Sequence, residues 1–226
     1  MAPRASDHLS PLSPKILFED THLLVLDKPA GLLSQGDTTG DENLVDWLRQ
    51  YLGRPYVGLI HRLDRGTSGI MVVAKRSKAA NRLTESLQAG RLTRTYVAWL
   101  EGTLEAPARW RHFLKKDEAK NLVRVVRGAG EGAKEAVLSV RPERAGLWLG
   151  NPLTLATFVL ETGRSHQIRA QAAHEGHPLL GDLKYGSASK FGRPALHSLR
   201  LRLDHPMSGE WLEFEAELPE DMRSIK

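Results

Sequence analysis

Residues 61–74 read His61-Arg62-Leu63-Asp64-Arg65-Gly66-Thr67-Ser68-Gly69-Ile70-Met71-Val72-Val73-Ala74. One acid, Asp64, stands between two arginines on a turn rich in Gly, Thr and Ser, and an apolar segment typical of a buried strand follows at once. The flanking arginines favour the charged form of the carboxylate. The pattern therefore predicts a carboxylate that is held at the mouth of a strand and presented to a ligand.

Strand patterns dominate the rest of the chain. They cover residues 22–26, ended by Lys28-Pro29-Ala30-Gly31, and residues 96–100, 122–126, 136–140, 154–160, 195–203 and 211–217. Helical patterns are fewer: residues 44–52, a helix N-capped by Ser77 that ends at Gly90, and residues 165–175 closed by Gly176. Because helices and strands do not alternate regularly, we expect an α+β domain on a large, mostly antiparallel or mixed sheet flanked by helices and loops.

The length and composition suit one compact domain. The chain has 226 residues, of which 41% are hydrophobic and 26% charged, and its net charge is +5. Residues 1–14 contain three prolines and no apolar core, which predicts a disordered tail ahead of one domain over residues 15–226. With no cysteine and no stretch near the roughly 20 apolar residues that span a bilayer, we expect a cytoplasmic monomer without disulfides or membrane contact.

The segment 109–134 is strongly basic. It holds three acids against eight basic residues, Arg109, Arg111, Lys115, Lys116, Lys120, Arg124, Arg127 and Lys134. Such residues, interleaved with Trp110, His112 and Phe113, could follow a phosphate backbone while the rings stack on bases. A solvated hairpin is the simpler explanation, and composition alone favours it.

A second polar constellation spans Thr162 to Arg169 and reads TGRSHQIR. A helix that starts near Ser165 would present Arg164, His166 and Gln167 at its positive end, where a cation suits a phosphate or a carboxylate. A capped helix with surface charges is the alternative. A partly buried Asp64 needs a counter-ion, and Arg169 is a credible one.

The sequence does not contain the patterns of a metal site or of a serine hydrolase. His166, His174 and His177 lie near Glu175 and Asp182, but their spacing is not that of a metal site, and loop or cap positions explain them. We expect no metal and no other cofactor. Ser68 is disfavoured as a hydrolase nucleophile because no Gly-x-Ser-x-Gly elbow surrounds it.

Five motifs, in this order, resemble those of the RluA-type RNA pseudouridine synthases. They are Lys28-Pro29-Ala30-Gly31-Leu32, the run from His61 to Gly69, Arg94-Thr95-Tyr96, the run from Gly163 to Arg169, and the run from Gly176 to Asp182. The resemblance covers about residues 16–218 and implies an isomerase that converts uridine in structured ribosomal or transfer RNA to pseudouridine. It also implies a stand-alone catalytic domain, since the family's frequent S4 module has no counterpart here.

The resemblance implies a role for each catalytic position. Asp64 matches the aspartate that attacks the uridine or its ribose, and attack at C1′ or C6 and base action at C2′ all stay open. Tyr96 matches the tyrosine that stacks on the uracil and takes part in proton removal. Arg169 matches the basic residue paired with the aspartate, and Ile168 the apolar residue that packs near the base.

The remaining matches imply contacts with RNA. Arg62 resembles the arginine that fills the space left when the uridine flips out of its stack. His61, Arg164 and Arg94 are the other expected RNA contacts, and Arg94 stands where the family commonly has lysine. Two other classes stay open: a non-catalytic RNA-binding protein, and a carboxylate-based glycosidase, which would need a second acid that neither motif supplies.

Overall fold

A computed structural model describes residues 12–226 of the chain, so most of the tail predicted at residues 1–14 lies outside the described residues. The strands are β1 (Lys15–Glu19), β2 (Leu23–Lys28), β3 (Gly58–Leu59), β4 (Ser68–Ala74), β5 (Thr93–Glu101), β6 (Ala108–Asp117), β7 (Leu122–Val126), β8 (Ala133–Trp148), β9 (Asn151–Leu160), β10 (Leu196–Asp204) and β11 (Trp211–Glu215). The α-helices are α1 (Leu44–Leu52), α2 (Ser77–Gln88), α3 (Gln167–His174) and α4 (Glu220–Arg223).

The predicted α+β class is confirmed. The ladders β1–β2, β2–β4, β5–β9, β8–β9, β6–β8 and β6–β7 are all antiparallel. Ser77 was wrongly predicted as an N-cap: Arg76 holds that position in an extended conformation, and Ser77 is the first helical residue. No helix in residues 12–226 is long and apolar enough to cross a membrane.

Unpredicted strand content lies in β6 and β8. The sequence indicates only a basic segment at β6, because its charged residues hide the period-2 alternation of a strand. β8 runs for 16 residues rather than the five predicted, since it continues through a register shift between Pro142 and Arg144. Such a bulge interrupts the sequence alternation without ending the ladder.

The described residues group into two compact units. Unit 1 comprises the described residues up to Thr93 together with Arg200–Ala216. In it, β4 pairs with β2 and β3, and all seven β4 residues are buried. Val25 of β2, Val72 of β4 and Leu83 of α2 are fully buried in one apolar cluster, which also includes Leu201 and Leu203. This packing fixes the strand that immediately follows the Asp64 loop.

Unit 2 comprises Arg94–Leu199 and Glu217–Lys226. Its strands lie in the order β5, β9, β8, β6, β7. One cluster centres on the fully buried Trp99, whose indole N–H donates to the Met222 carbonyl at 3.0 Å. A second cluster packs α3 against the β6–β7 hairpin through Ala170, Leu114 and Val123.

His197 makes unit 2 sensitive to acid. Burial, reinforced by the Arg193 charge, lowers the pKa of His197 from 6.5 to about 4. Between pH 6.5 and 4, His197 is therefore protonated in the unfolded chain but stays neutral in the folded chain. We expect the free energy of unfolding to fall as pH falls through this range. The slope reaches about 1.4 kcal/mol per pH unit.

Denaturant unfolding at a series of pH values measures this slope. The His197→Gln variant should lack that component of the pH dependence. Parallel profiles for the two proteins across this window would contradict the assignment.

Candidate active site

Asp64 lies half-buried on the loop that joins β3 to β4, within unit 1. Its backbone carbonyl accepts a hydrogen bond from the Thr67 N–H at 3.0 Å, which closes the turn just before β4 begins at Ser68. The neighbouring side chains of Arg62 and Arg65 are exposed. The carboxylate thus sits on a closed turn at the start of a buried strand, as the sequence predicted.

The segment after β2 holds this loop in place. The fully buried Lys28 ammonium donates to the carbonyls of Pro29 at 2.9 Å and Leu32 at 2.7 Å, and reaches the Arg65 carbonyl at 3.5 Å. Gly31, whose φ of +96° favours glycine, donates its N–H to the same Arg65 carbonyl at 2.8 Å. The Lys-Pro-Ala-Gly motif is therefore a support for the Asp64 loop.

Ser34 fixes the residue before Asp64. Its buried hydroxyl donates to the Leu63 carbonyl at 2.6 Å and accepts from the Leu63 N–H at 3.1 Å. No sequence pattern indicates this pair, because the two residues are 29 positions apart. Both backbone polar groups of Leu63 depend on this hydroxyl.

We expect Ser34→Ala to lower the free energy of unfolding by about 2 kcal/mol, since it takes a partner from two backbone groups of a buried residue. We also expect kcat to fall more than KM rises, because the loop that carries Asp64 loosens while the exposed charges beside it stay. Chemical denaturation and steady-state kinetics measure the two effects. Thr84→Ala, which removes an exposed hydroxyl from α2 in the same unit, should stay within about 0.5 kcal/mol.

His61 and Arg62 complete the loop. His61 is 9% exposed, and its Nε2 accepts from the Val72 N–H at 3.3 Å, so it braces the loop against β4. Arg62 is exposed. The RNA contacts expected of both residues stay predictions, with Arg62 the better presented of the two.

In unit 2, Arg169 of α3 is held by two residues that the sequence did not single out as its partners. Its Nε and Nη2 donate to the two Asp182 carboxylate oxygens at 2.7 and 2.8 Å, and both side chains are buried. Its guanidinium lies 4.9 Å from the centre of the Tyr185 ring. Asp182 is the last residue of the fifth family motif, and its place in that motif was the one sequence signal that could have indicated a role beside Arg169. Asp64 and Arg169 belong to different units, and their expected pairing stays a prediction.

The helix predicted from Ser165 begins two residues later. His166 has a left-handed φ of +50°, which a helix cannot contain, and its Nδ1 lies 2.8 Å from the Tyr185 hydroxyl. Gln167 points inward: its Oε1 accepts from the Thr162 hydroxyl and the Arg164 N–H, and its Nε2 donates to the Val137 carbonyl. The buried Gln167 side chain therefore holds the loop before α3, and Arg164 is an exposed cation on that loop.

The other predicted residues of unit 2 fall on β5 and α3. Tyr96 is 5% exposed and Arg94 is 8% exposed, two positions apart on β5, so their side chains share one face of the strand. Ile168 is 4% exposed on α3. Their expected contacts with uridine and RNA stay predictions.

Most of the basic segment forms the β6–β7 hairpin, and both explanations offered for its charges stay open on that geometry. Base stacking, the alternative considered for Trp110, does not fit its position, because the side chain is 6% exposed and its ring centre lies 6.0 Å from that of Phe158. His112 lies beside Gln171 and Glu175, and burial lowers its pKa. Among residues 12–226 no group of three or more metal-ligating side chains could hold a metal ion.

Comparisons with known proteins find the same family that the five sequence motifs resemble. Residues 22–174 match the family model described as RNA pseudouridylate synthase. The chain is 36% identical to ribosomal large subunit pseudouridine synthase D of Yersinia pestis, over 92% of this chain and 68% of that protein. It is 35% identical to the protein of the same name from Nitrosomonas europaea, over 93% of this chain and 64% of that protein. An uncharacterized RNA pseudouridine synthase of Bacillus subtilis is 36% identical, over 93% of this chain and 70% of that protein.

Solved structures of pseudouridylate synthase domains have the same fold. Human RNA pseudouridylate synthase domain containing 1 is 26% identical and superposes with a TM-score of 0.76, covering 93% of this chain and 86% of that one. Human RNA pseudouridylate synthase domain containing 4, at 21% identity and a TM-score of 0.74, shares the fold.

The fold and the sequence matches together define an RNA-modifying isomerase. The chain belongs to the RNA pseudouridylate synthase family, and within it to the RluA type. It is an RNA pseudouridine synthase.

Proposed function

We propose that this enzyme isomerises uridine in ribosomal RNA of the large subunit, with Asp64 as the catalytic carboxylate. The substrate proposal rests on two relatives named as ribosomal large subunit pseudouridine synthases, which match 92 to 93% of this chain at 35 to 36% identity. A ribosomal RNA substrate as in those bacterial relatives would place the activity in the cytoplasm.

The geometry of the Asp64 loop supports the catalytic role. A carboxylate that must act on one atom of a substrate needs a fixed backbone, and the loop is tied to Lys28, Gly31 and Ser34. The reaction breaks the N1–C1′ bond, forms a C5–C1′ bond, moves a proton off C5 and leaves one on N1. Asp64 as a nucleophile or base needs no external oxidant or energy source for this exchange.

Base flipping is the second part of the proposal. A stacked uridine must leave its helix before a side chain can reach it, at a cost of a few kcal/mol. Arg62 is exposed two residues before Asp64, and we propose that it fills the vacated space. We propose from the family resemblance that Tyr96 stacks on the uracil, that Ile168 packs beside it and that Arg169 acts as counter-ion.

The β6–β7 hairpin supports RNA as the partner. Lys115 and Arg124 lie directly opposite each other, where like charges destabilise a sheet. Both are exposed, and neither makes an ion pair with any described residue. A phosphate backbone would relieve this repulsion, whereas Arg109 and Arg111 on the same strand are already paired with Glu161 and Glu135.

Release of tritium from RNA labelled at uracil C5 tests the proposed function. We expect release from large-subunit ribosomal RNA and none from small-subunit or transfer RNA, and pseudouridine-specific chemical labelling then locates the position. Release from transfer RNA alone would overturn the substrate assignment. Binding without release from any RNA would favour the non-catalytic alternative.

A further inference from the structure

Arg94 is a buried cation whose charge is not compensated within the described chain. It is 8% exposed, and its Nε is fully enclosed without a hydrogen-bond partner. Its guanidinium makes no hydrogen bond or ion pair with any of residues 12–226. The two terminal nitrogens are not enclosed as Nε is, so the guanidinium keeps a face that a ligand can reach, and residues 12–226 supply no carboxylate to pair with it.

The guanidinium packs on the backbone of Gly163. A Cβ at Gly163 would lie 3.0 Å from the Arg94 Nη2 and 3.2 Å from Nη1, closer than ordinary packing allows. Gly163 does not have a left-handed φ, so the approach of Arg94, and not the backbone, accounts for the glycine. Gly163 and Arg164 are exposed, which leaves this edge of the buried arginine open to a ligand from solution.

We propose that Arg94 binds a backbone phosphate of the RNA substrate, an inference that rests on the RNA modification activity of the family. An uncompensated cation calls for an anion, and the anionic groups of RNA are its phosphates. A guanidinium also matches phosphate with two parallel hydrogen bonds. Arg94 shares a face of β5 with Tyr96, so a phosphate held there would set the register of the strand relative to that residue.

The salt dependence of RNA binding by the full chain tests this assignment. With an RNA that the wild type modifies, we expect Arg94→Gln to weaken binding about ten- to a hundredfold. The slope of log K against log salt should flatten by about 0.7 to 0.9, the contribution of one phosphate contact. Arg141→Gln is the matched control, because Arg141 is exposed on β8 and paired with Glu143. Its affinity and slope should equal those of the wild type.

Thermal unfolding separates this role from a structural one. Removing an uncompensated buried charge should leave the melting temperature of Arg94→Gln unchanged or higher, whereas losing a structural arginine would lower it. An unchanged salt slope overturns the proposal, and so does weaker binding that appears only with a lower melting temperature. If Arg94→Gln does not fold, Arg94→Lys replaces it: it should weaken binding while keeping the salt slope.

Neutral phosphate analogues then identify the contact. A series of RNAs, each with one methylphosphonate linkage, should contain one linkage whose neutralisation weakens binding to the wild type but not to Arg94→Gln. Additive losses at every linkage would overturn the proposal. A wild type that modifies no RNA would contradict the proposed function, whereas an active wild type without this coupling would contradict the phosphate assignment alone.

Discussion

Asp64→Asn should lower the rate of pseudouridine formation by at least about 100-fold. Asparagine keeps the size of the side chain but can neither form the covalent bond nor accept the proton that a carboxylate can, and a positioned group of this kind contributes about 10²- to 10⁴-fold. The turn that carries Asp64 is closed through its backbone carbonyl, which the substitution leaves in place. RNA affinity should therefore change little.

Single-turnover tritium release with enzyme in excess measures the chemical step directly. Glu42→Gln, an exposed acid in the same unit, should retain the wild-type rate. Full activity in both Asp64→Asn and Asp64→Ala would remove Asp64 from the mechanism.

Asp182→Asn should lower the free energy of unfolding by about 3 to 5 kcal/mol. The Asp182 side chain is 1% exposed and that of Arg169 is 10% exposed, so neutralising the carboxylate removes one buried, doubly hydrogen-bonded counter-charge from the guanidinium. The same loss should reduce activity, because Asp182 and the Tyr185 ring orient Arg169.

Denaturant unfolding with two comparison variants checks this explanation. Asp221→Asn breaks a similar two-bond pair with Arg193, but the Asp221 side chain is 41% exposed, so its loss should cost less. The double variant Asp182→Leu with Arg169→Met should recover much of the stability, since it removes both charges together. Equal losses in Asp182→Asn and Asp221→Asn would show that burial of the pair has no special effect.

Local sequence patterns predicted the elements that depend on local chemistry. The helix at residues 44–52 and the strand at residues 122–126 were predicted with the observed bounds, because amphipathic period and turn residues define their ends. The start of α3 was missed because His166 has a left-handed φ of +50°, which delays the helix and which no local sequence pattern indicates. The length of β8 was missed because its ladder continues past a bulge.

The sequence by itself determined the α+β class, the family and the loop that carries Asp64, because motif spacing and hydrophobic period are properties of neighbouring residues. Only the tertiary structure decided the partners. Asp182 holds Arg169 and Ser34 holds Leu63 across the chain, and Trp110 is turned into the core rather than toward RNA. It also left Arg94 buried without a counter-charge. Hydrogen bonds and burial between distant residues depend on how the strands pack, and the order of residues along the chain does not express that packing.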